Sequence, residues 1–153
     1  MLILCNIFLI IIGWIVVHIL SEDREIAKEW RAISRSTINL VNKIEAKAIK
    51  YHTSKKRNLD LERDLELKIN LLDSYMTVLA KNDILIKKDV SDFRKSITYK
   101  NFHTDKFEKK EFYSHITQNI SKEAEQIRLS LLNAEYNTRF EKIYRKIVKY
   151  LKN

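Results

Sequence analysis

Asp64, Glu66 and Lys68 carry the sharpest chemical suggestion in this sequence, because an acidic residue followed by Glu-x-Lys is the metal-binding core of a large nuclease fold. That chemistry needs its carboxylates on strands, where alternate residues share a face. On a helix, residues two apart point about 200° apart and cannot share a metal ion. Their neighbours are spaced as a helix, so these side chains read as a charged helix face with Asp64 placed to pair with Lys68 one turn on. Four histidines occur, His18, His52, His103 and His115, and no two lie three to five residues apart, so no local zinc motif is written. Helical ribonucleases of the HEPN type need an Arg followed after about four to six residues by a His, and no such pair is found. No catalytic residue or metal ligand is nominated, and no cofactor is expected.

Composition narrows the fold that could position any site. The 153 residues include one glycine and no proline, where average usage gives about ten and about seven. Phosphate loops, dinucleotide fingerprints, nucleophile elbows and tight primed hairpins all draw on glycine, and are disfavoured together. With 45% apolar and 32% charged residues the chain is a folded helical domain and not a disordered polyelectrolyte.

The net charge of +9 invites a nucleic-acid partner. Basic clusters stand at Lys55-Lys56-Arg57, Arg94-Lys95, Lys109-Lys110 and Arg145-Lys146, yet the surplus is spread: +5 over 21–58, −3 over 59–93, +4 over 94–122 and +3 over 123–153. No single recognition helix holds it. Attraction to anionic lipid explains it more simply, at about 1 kcal/mol per Lys or Arg near a membrane surface. Lipid or protein contact is therefore preferred to nucleic acid.

Hydrophobic spacing supplies the elements. Trp30, Ile33, Thr37, Leu40, Ile44, Ala48 and Tyr51 recur every three or four residues, which predicts one helix face. The polar run 52–58 reads as a connection, after which Asn58 or Asp60 can cap a second helix with Leu61, Leu65, Ile69, Leu72, Met76 and Leu79 inward. That helix is expected to end near Lys81-Asn82-Asp83. A short third helix is predicted over 89–100 with Val90, Phe93 and Ile97 on one side. Asp105 and Glu108 have the spacing of a capping box, predicting a helix with Phe112, Ile116 and Ile120 inward. A last helix from Ser121 places Ala124, Ile127, Leu131, Ala134, Phe140, Ile143, Ile147 and Tyr150 mostly on one stripe, with a break expected over 133–137. Tyr113, Tyr136, Tyr144 and Tyr150 are expected to pack or line the rim of the bundle rather than stack on bases. None of these one-faced helices is stable alone, so the fold expected is all-α: an N-terminal transmembrane helix over 1–20 followed by a small antiparallel helical bundle over 21–153.

Residues 2–20 contain no Asp, Glu, Lys or Arg. As a helix they measure about 28 Å, close to the hydrocarbon thickness of a bilayer. A cleaved signal peptide would need a basic leader and small residues before the cut, and Val17, His18, Ile19 and Leu20 supply none. Arg24, Lys28, Arg31 and Arg35 follow the apolar run with no Lys or Arg before it, so the positive-inside rule predicts a cytoplasmic tail on a single-pass inner-membrane protein, with those four cations at the membrane surface. Gly13 and Trp14 are the candidates for packing within the membrane. Cys5, the one thiol, reads as inert in lipid, with palmitoylation as the alternative, and leaves the tail without disulfides or thiolate metal sites.

Arg35-Ser36-Thr37-Ile38-Asn39-Leu40, Ile69-Asn70-Leu71-Leu72-Asp73-Ser74-Tyr75-Met76 and Phe140-Glu141-Lys142-Ile143 resemble a bacterial family of unknown function. Its members are short proteins with one N-terminal transmembrane helix and a small cytoplasmic helical domain. Where that family has a glycine or acidic turn after the middle helix, this chain has Lys81-Asn82-Asp83. The resemblance implies no catalytic residues, and its members' neighbourhood implies a context of phage defence. The function expected is a non-enzymatic interaction or adaptor protein at the inner face of the membrane, with the bilayer and either a protein partner or a second copy as its contacts. A spanin-like envelope or lysis protein with a periplasmic tail is one alternative. A small membrane-perturbing toxin or effector is the other.

Overall fold

A chain so poor in glycine and proline can satisfy its backbone polar groups within helices, and among the described residues it does so in four. They are α1 (Leu2–Thr53), α2 (Leu59–Ala80), α3 (Lys87–Thr98) and α4 (His115–Lys152). The computed structural model describes the backbone of residues 2–80 and 87–152; side chains at 1–9, 11–12, 15–16, 19, 23, 26, 80–89 and 134–153 lie outside the described residues. No strand occurs among the described residues.

The chain divides into two compact units, Met1–Ile33 and Ser34–Asn153. The first is helical from Leu2 onward. Within it Lys28 pairs with Glu25 at 2.7 Å and the Arg31 Nε donates to the Ala27 carbonyl at 3.1 Å. Among the described residues no helix is long and apolar enough to cross a membrane. The span expected over 2–20 falls mostly on side chains outside those described, Cys5 included.

The second unit holds the core. Leu40, Val41, Ile44, Ala48 and Tyr51 of α1 are buried with Leu65, Ile69, Leu72, Met76 and Leu79 of α2, Val90, Phe93 and Ile97 of α3, and Ile116, Ile120, Ala124, Ile127 and Leu131 of α4. These are the three-and-four stripes of the sequence, folded against one another, and α3 packs on both α2 and α4. Burying each such side chain stabilises by about 1.5–3 kcal/mol. Ion pairs at the edges, Lys47 to Asp64 at 2.5 Å and Arg128 to Glu45 at 2.7 Å, contribute less because they stay partly wet.

Helix starts follow side-chain chemistry. Asn58 is the cap of α2, its Oδ1 accepting the Leu61 N–H at 3.0 Å, with Asp60 and Glu62 favourably placed in the first turn. Ser114 opens α4: its Oγ accepts the Thr117 N–H at 3.4 Å and its carbonyl the Gln118 N–H at 3.0 Å. The helix expected from Asp105 is absent. The Glu108 N–H donates to Asn101 Oδ1 at 3.3 Å and the Glu108 carbonyl accepts from Asn101 Nδ2 at 2.8 Å, so the backbone there is held by a side chain instead of a helical turn. Phe112 is accordingly exposed, while Ile116 and Ile120 are inward as expected.

Two further expectations change. His52 is no connection residue; it lies in the last turn of α1 and is fully buried. Nor does a boundary fall at Ser121 or a break over 133–137, because α4 is one helix from His115 to Lys152. A stripe from Ile127 to Ile147 therefore cannot stay on one face: twenty residues of unbroken helix rotate the register by about 200°. Residues 81–83, where α2 was expected to end, lie outside the described residues.

The register of α2 gives a direct check. Leu72→Ala, at a fully buried position, should lower the unfolding free energy by about 2–5 kcal/mol. The neighbouring Leu71→Ala, 44% exposed, should change it by no more than about 0.5 kcal/mol in the same urea titration.

Candidate functional site

The densest meeting of polar and titratable side chains lies where the end of α1, the start of α2 and the segment 99–111 converge. Tyr51 donates its hydroxyl hydrogen bond to the Asn101 carbonyl at 2.8 Å. His52 Nε2 donates to the Ile97 carbonyl at 2.8 Å, and its Nδ1 accepts from Asn101 Nδ2 at 3.3 Å, which fixes the neutral imidazole with its proton on Nε2. The His52 carbonyl accepts the Lys110 N–H at 2.8 Å. Phe102 and Phe107 pack edge-on against the Tyr51 ring at 5.1 and 5.4 Å.

Beside this knot stands Glu62, a buried carboxylate on a helix. Arg57 grips it through two bonds, Nε at 2.8 Å and Nη2 at 3.1 Å, and the backbone N–H of His103 donates to it at 2.5 Å. Burial would push the Glu62 carboxyl up, but the Arg57 fork and the His103 N–H prevail and hold it below the ordinary range. The His103 ring then bridges to Glu66, one turn further along α2.

Chemically this cluster is closed. Glu62 is locked ionised by donors already in place, which makes it a poor base. Both His52 nitrogens are occupied, and burial drives that imidazole below its ordinary 6.5. The Tyr51 phenol, raised to about 12 by burial and then by the nearby Glu62 charge, keeps its proton. Lys100 and His103 adopt left-handed backbone with φ of 63° and 51° and no glycine to ease it. The cluster clamps a strained segment, and it presents no unoccupied nucleophile or base.

Asp64 and Glu66 diverge as a helix requires. Asp64 is held by Lys47 and Lys68, which keep its carboxyl below the ordinary range, whereas Glu66 turns to His103. Among the described residues no group of three His, Cys, Asp or Glu side chains is arranged for a metal ion. A shallow cleft of about 410 Å³ lies between α3 and the start of α4, lined by Asp92, Lys95, Ser96, Tyr99 and His115 among others. Its polar groups are partly used within the cleft: Lys95 pairs with Asp92 at 3.3 Å, and the Ser96 hydroxyl donates to the Phe93 carbonyl at 2.7 Å.

The sequence-nominated contacts are placed as follows. Arg24, Lys28 and Arg35 are exposed and Arg31 half-buried. Gly13 is exposed and a Cβ there would meet nothing within 4 Å, and the exposed Trp14 stacks on His18 at 5.6 Å. Of the tyrosines, Tyr113 is exposed; the rings of Tyr136, Tyr144 and Tyr150 lie outside the described residues.

One surface escaped the sequence reading. Leu67, Leu71 and Val78 are exposed on α2, spaced four and seven apart, on the side opposite Leu65, Ile69, Leu72 and Met76. A search for a second apolar line on α2 would have found it. The clamp had no such signal, since Tyr51 and His52 meet Asn101 and Ile97 across 45 to 50 residues of sequence. No protein-family model, curated protein or solved structure matches the chain.

The depressed His52 gives a sign to the pH dependence. The unfolded chain binds a proton near 6.5 that the folded chain resists, so stability is complete above that pH. It declines as pH falls through 6.5 toward the lower folded value. His52→Gln should abolish that decline in urea midpoints recorded from neutral to mildly acidic pH, whatever it does to the absolute stability.

Proposed function

We propose that this chain is a non-enzymatic, single-pass membrane protein whose helical domain docks a protein partner at the inner face of the membrane. The observation that supports it most is the charge-free run 2–20, helical in backbone from Leu2. Its described large apolar side chains, Ile10, Trp14, Val17 and Leu20, are all exposed, between 60% and 71%. Exposed apolar surface on that scale needs a cover, and a helix with its backbone satisfied internally is what a bilayer accepts.

Arg24, Lys28, Arg31 and Arg35 favour a cytoplasmic tail by the positive-inside rule. Docking is supported by α2: Leu67 and Leu71 are exposed on the side of the helix opposite its buried residues. The absence of an enzyme role is an inference from the closed polar cluster, whose groups are all engaged in holding the segment 99–111.

Membrane residence and orientation can be read together. The full chain carrying a reporter after Asn153 should stay in the pellet after alkaline carbonate extraction, and deletion of 2–20 should release it. The reporter should work in its cytoplasmic form. Activity only as a periplasmic reporter would replace this proposal with the envelope-protein alternative, and carbonate release of the full chain would remove the anchor.

A further inference from the structure

Helix α4 changes its apolar face part-way along. Through Leu131 its buried residues, Ile116, Ile120, Ala124, Ile127 and Leu131, lie on one side, and Leu129 and Leu132 already stand exposed, 49% and 52%, on the other. Because the helix continues unbroken to Lys152, the register of everything beyond is fixed. Tyr136, Phe140, Ile143 and Ile147 fall on the line of Leu129, opposite the core face.

The rest of residues 139–152 sorts by charge. At about 100° per residue, Phe140, Ile143, Tyr144, Ile147, Val148, Tyr150 and Leu151 occupy an arc of about 160° by register. Arg139, Lys142, Arg145, Lys146, Lys149 and Lys152 occupy the complementary arc of about 140°. Only Glu141 is acidic in this stretch.

We propose that residues 139–152 form an in-plane helix on an anionic membrane surface, with the apolar arc at the headgroup and acyl boundary and the six cations among lipid phosphates. Charge complementarity selects this occupant. A basic polar arc matched to a broad apolar arc with aromatic residues is the pattern of interfacial helices. A second copy fits less well: a coiled-coil seam is narrower, and the six cations opposite one acid, Glu141, would leave two such helices repelling each other. The proposal does not need the anchor at 2–20, and the two can fail separately.

The test uses the full chain with Cys5→Ser and one new thiol, Ile147→Cys or Lys149→Cys, carrying a nitroxide, mixed with vesicles of phosphatidylcholine alone or with phosphatidylglycerol added. In the anionic vesicles the label at 147 should gain collisions with oxygen and lose them with a water-soluble nickel chelate, while the label at 149 stays wet. Both should be wet on phosphatidylcholine. Replacing Lys142, Arg145, Lys146 and Lys149 with Gln should cut the immersed fraction by about fivefold per cation at low salt. A bundle left intact by those changes keeps its helical circular dichroism; if it does not, added salt on the unaltered chain supplies the same weakening without a substitution. A label at 147 that remains wet on anionic vesicles overturns the proposal. So does one immobilised by spin coupling between copies on both lipids, which would assign the face to a second chain. Co-sedimentation with phosphatidylcholine vesicles together with a label at 147 that stays wet on anionic vesicles would keep the anchor and reject the in-plane helix. Co-sedimentation with anionic vesicles alone and a dry label would do the reverse.

Discussion

Every backbone N–H and C=O taken from water must find a partner, and this chain has almost no means of supplying one except the helix. With a single glycine and no proline, tight turns are scarce. The one long irregular stretch of the described bundle, 99–114, is held by side chains and by the ends of its neighbours. Asn101 alone bonds both the N–H and the carbonyl of Glu108, Glu62 accepts the N–H of His103, and the His52 carbonyl accepts the N–H of Lys110. Left-handed backbone at Lys100 and His103 costs about 1–2 kcal/mol each, and this buried network together with the Tyr51, Phe102 and Phe107 rings offsets it. The same constraint explains why the cluster that most resembles chemistry is structural: its carboxylate, imidazole and phenol are all engaged in satisfying backbone and one another.

A helix that satisfies itself leaves its side faces for other purposes, and three helices here carry more apolar surface than the core consumes. In α2 the surplus is Leu67 and Leu71; in α4 it begins at Leu129 and Leu132. On the first unit it is Ile10, Trp14, Val17 and Leu20. Charge sorts these surfaces: no ionic group within 2–20, a mostly acidic α2, and a basic final helix. A membrane interior, a protein partner and an anionic lipid surface are the covers proposed for each in turn.

Periodicity alone made the bundle legible. Leu40, Ile44, Ala48, Tyr51, Leu65, Ile69, Leu72, Met76, Leu79, Val90, Phe93 and Ile97 are buried as their spacing requires, and Asn58 caps α2. What failed was local inference where a distant partner decides. The Asp105 and Glu108 pattern fits a capping box, yet Asn101 takes that backbone first. His52 looked polar and exposed because Ile97 and Asn101, which bury and satisfy it, are far away in sequence. The asparagines at 133 and 137 suggested a break, but good helix formers surround them and α4 runs through. That continuity is what turns the second half of its apolar pattern to the opposite face, a consequence invisible while a break was assumed.

Amide hydrogen exchange on the full chain in vesicles, followed by mass spectrometry across a urea series, separates a helix held by lipid from one held by tertiary packing. If 2–20 lies in the bilayer, its amides should exchange slowly both before and after 34–133 have opened together as one cooperative unit. Rapid exchange over 2–20 in the absence of urea, while 34–133 remain protected, would contradict membrane residence and the function built on it.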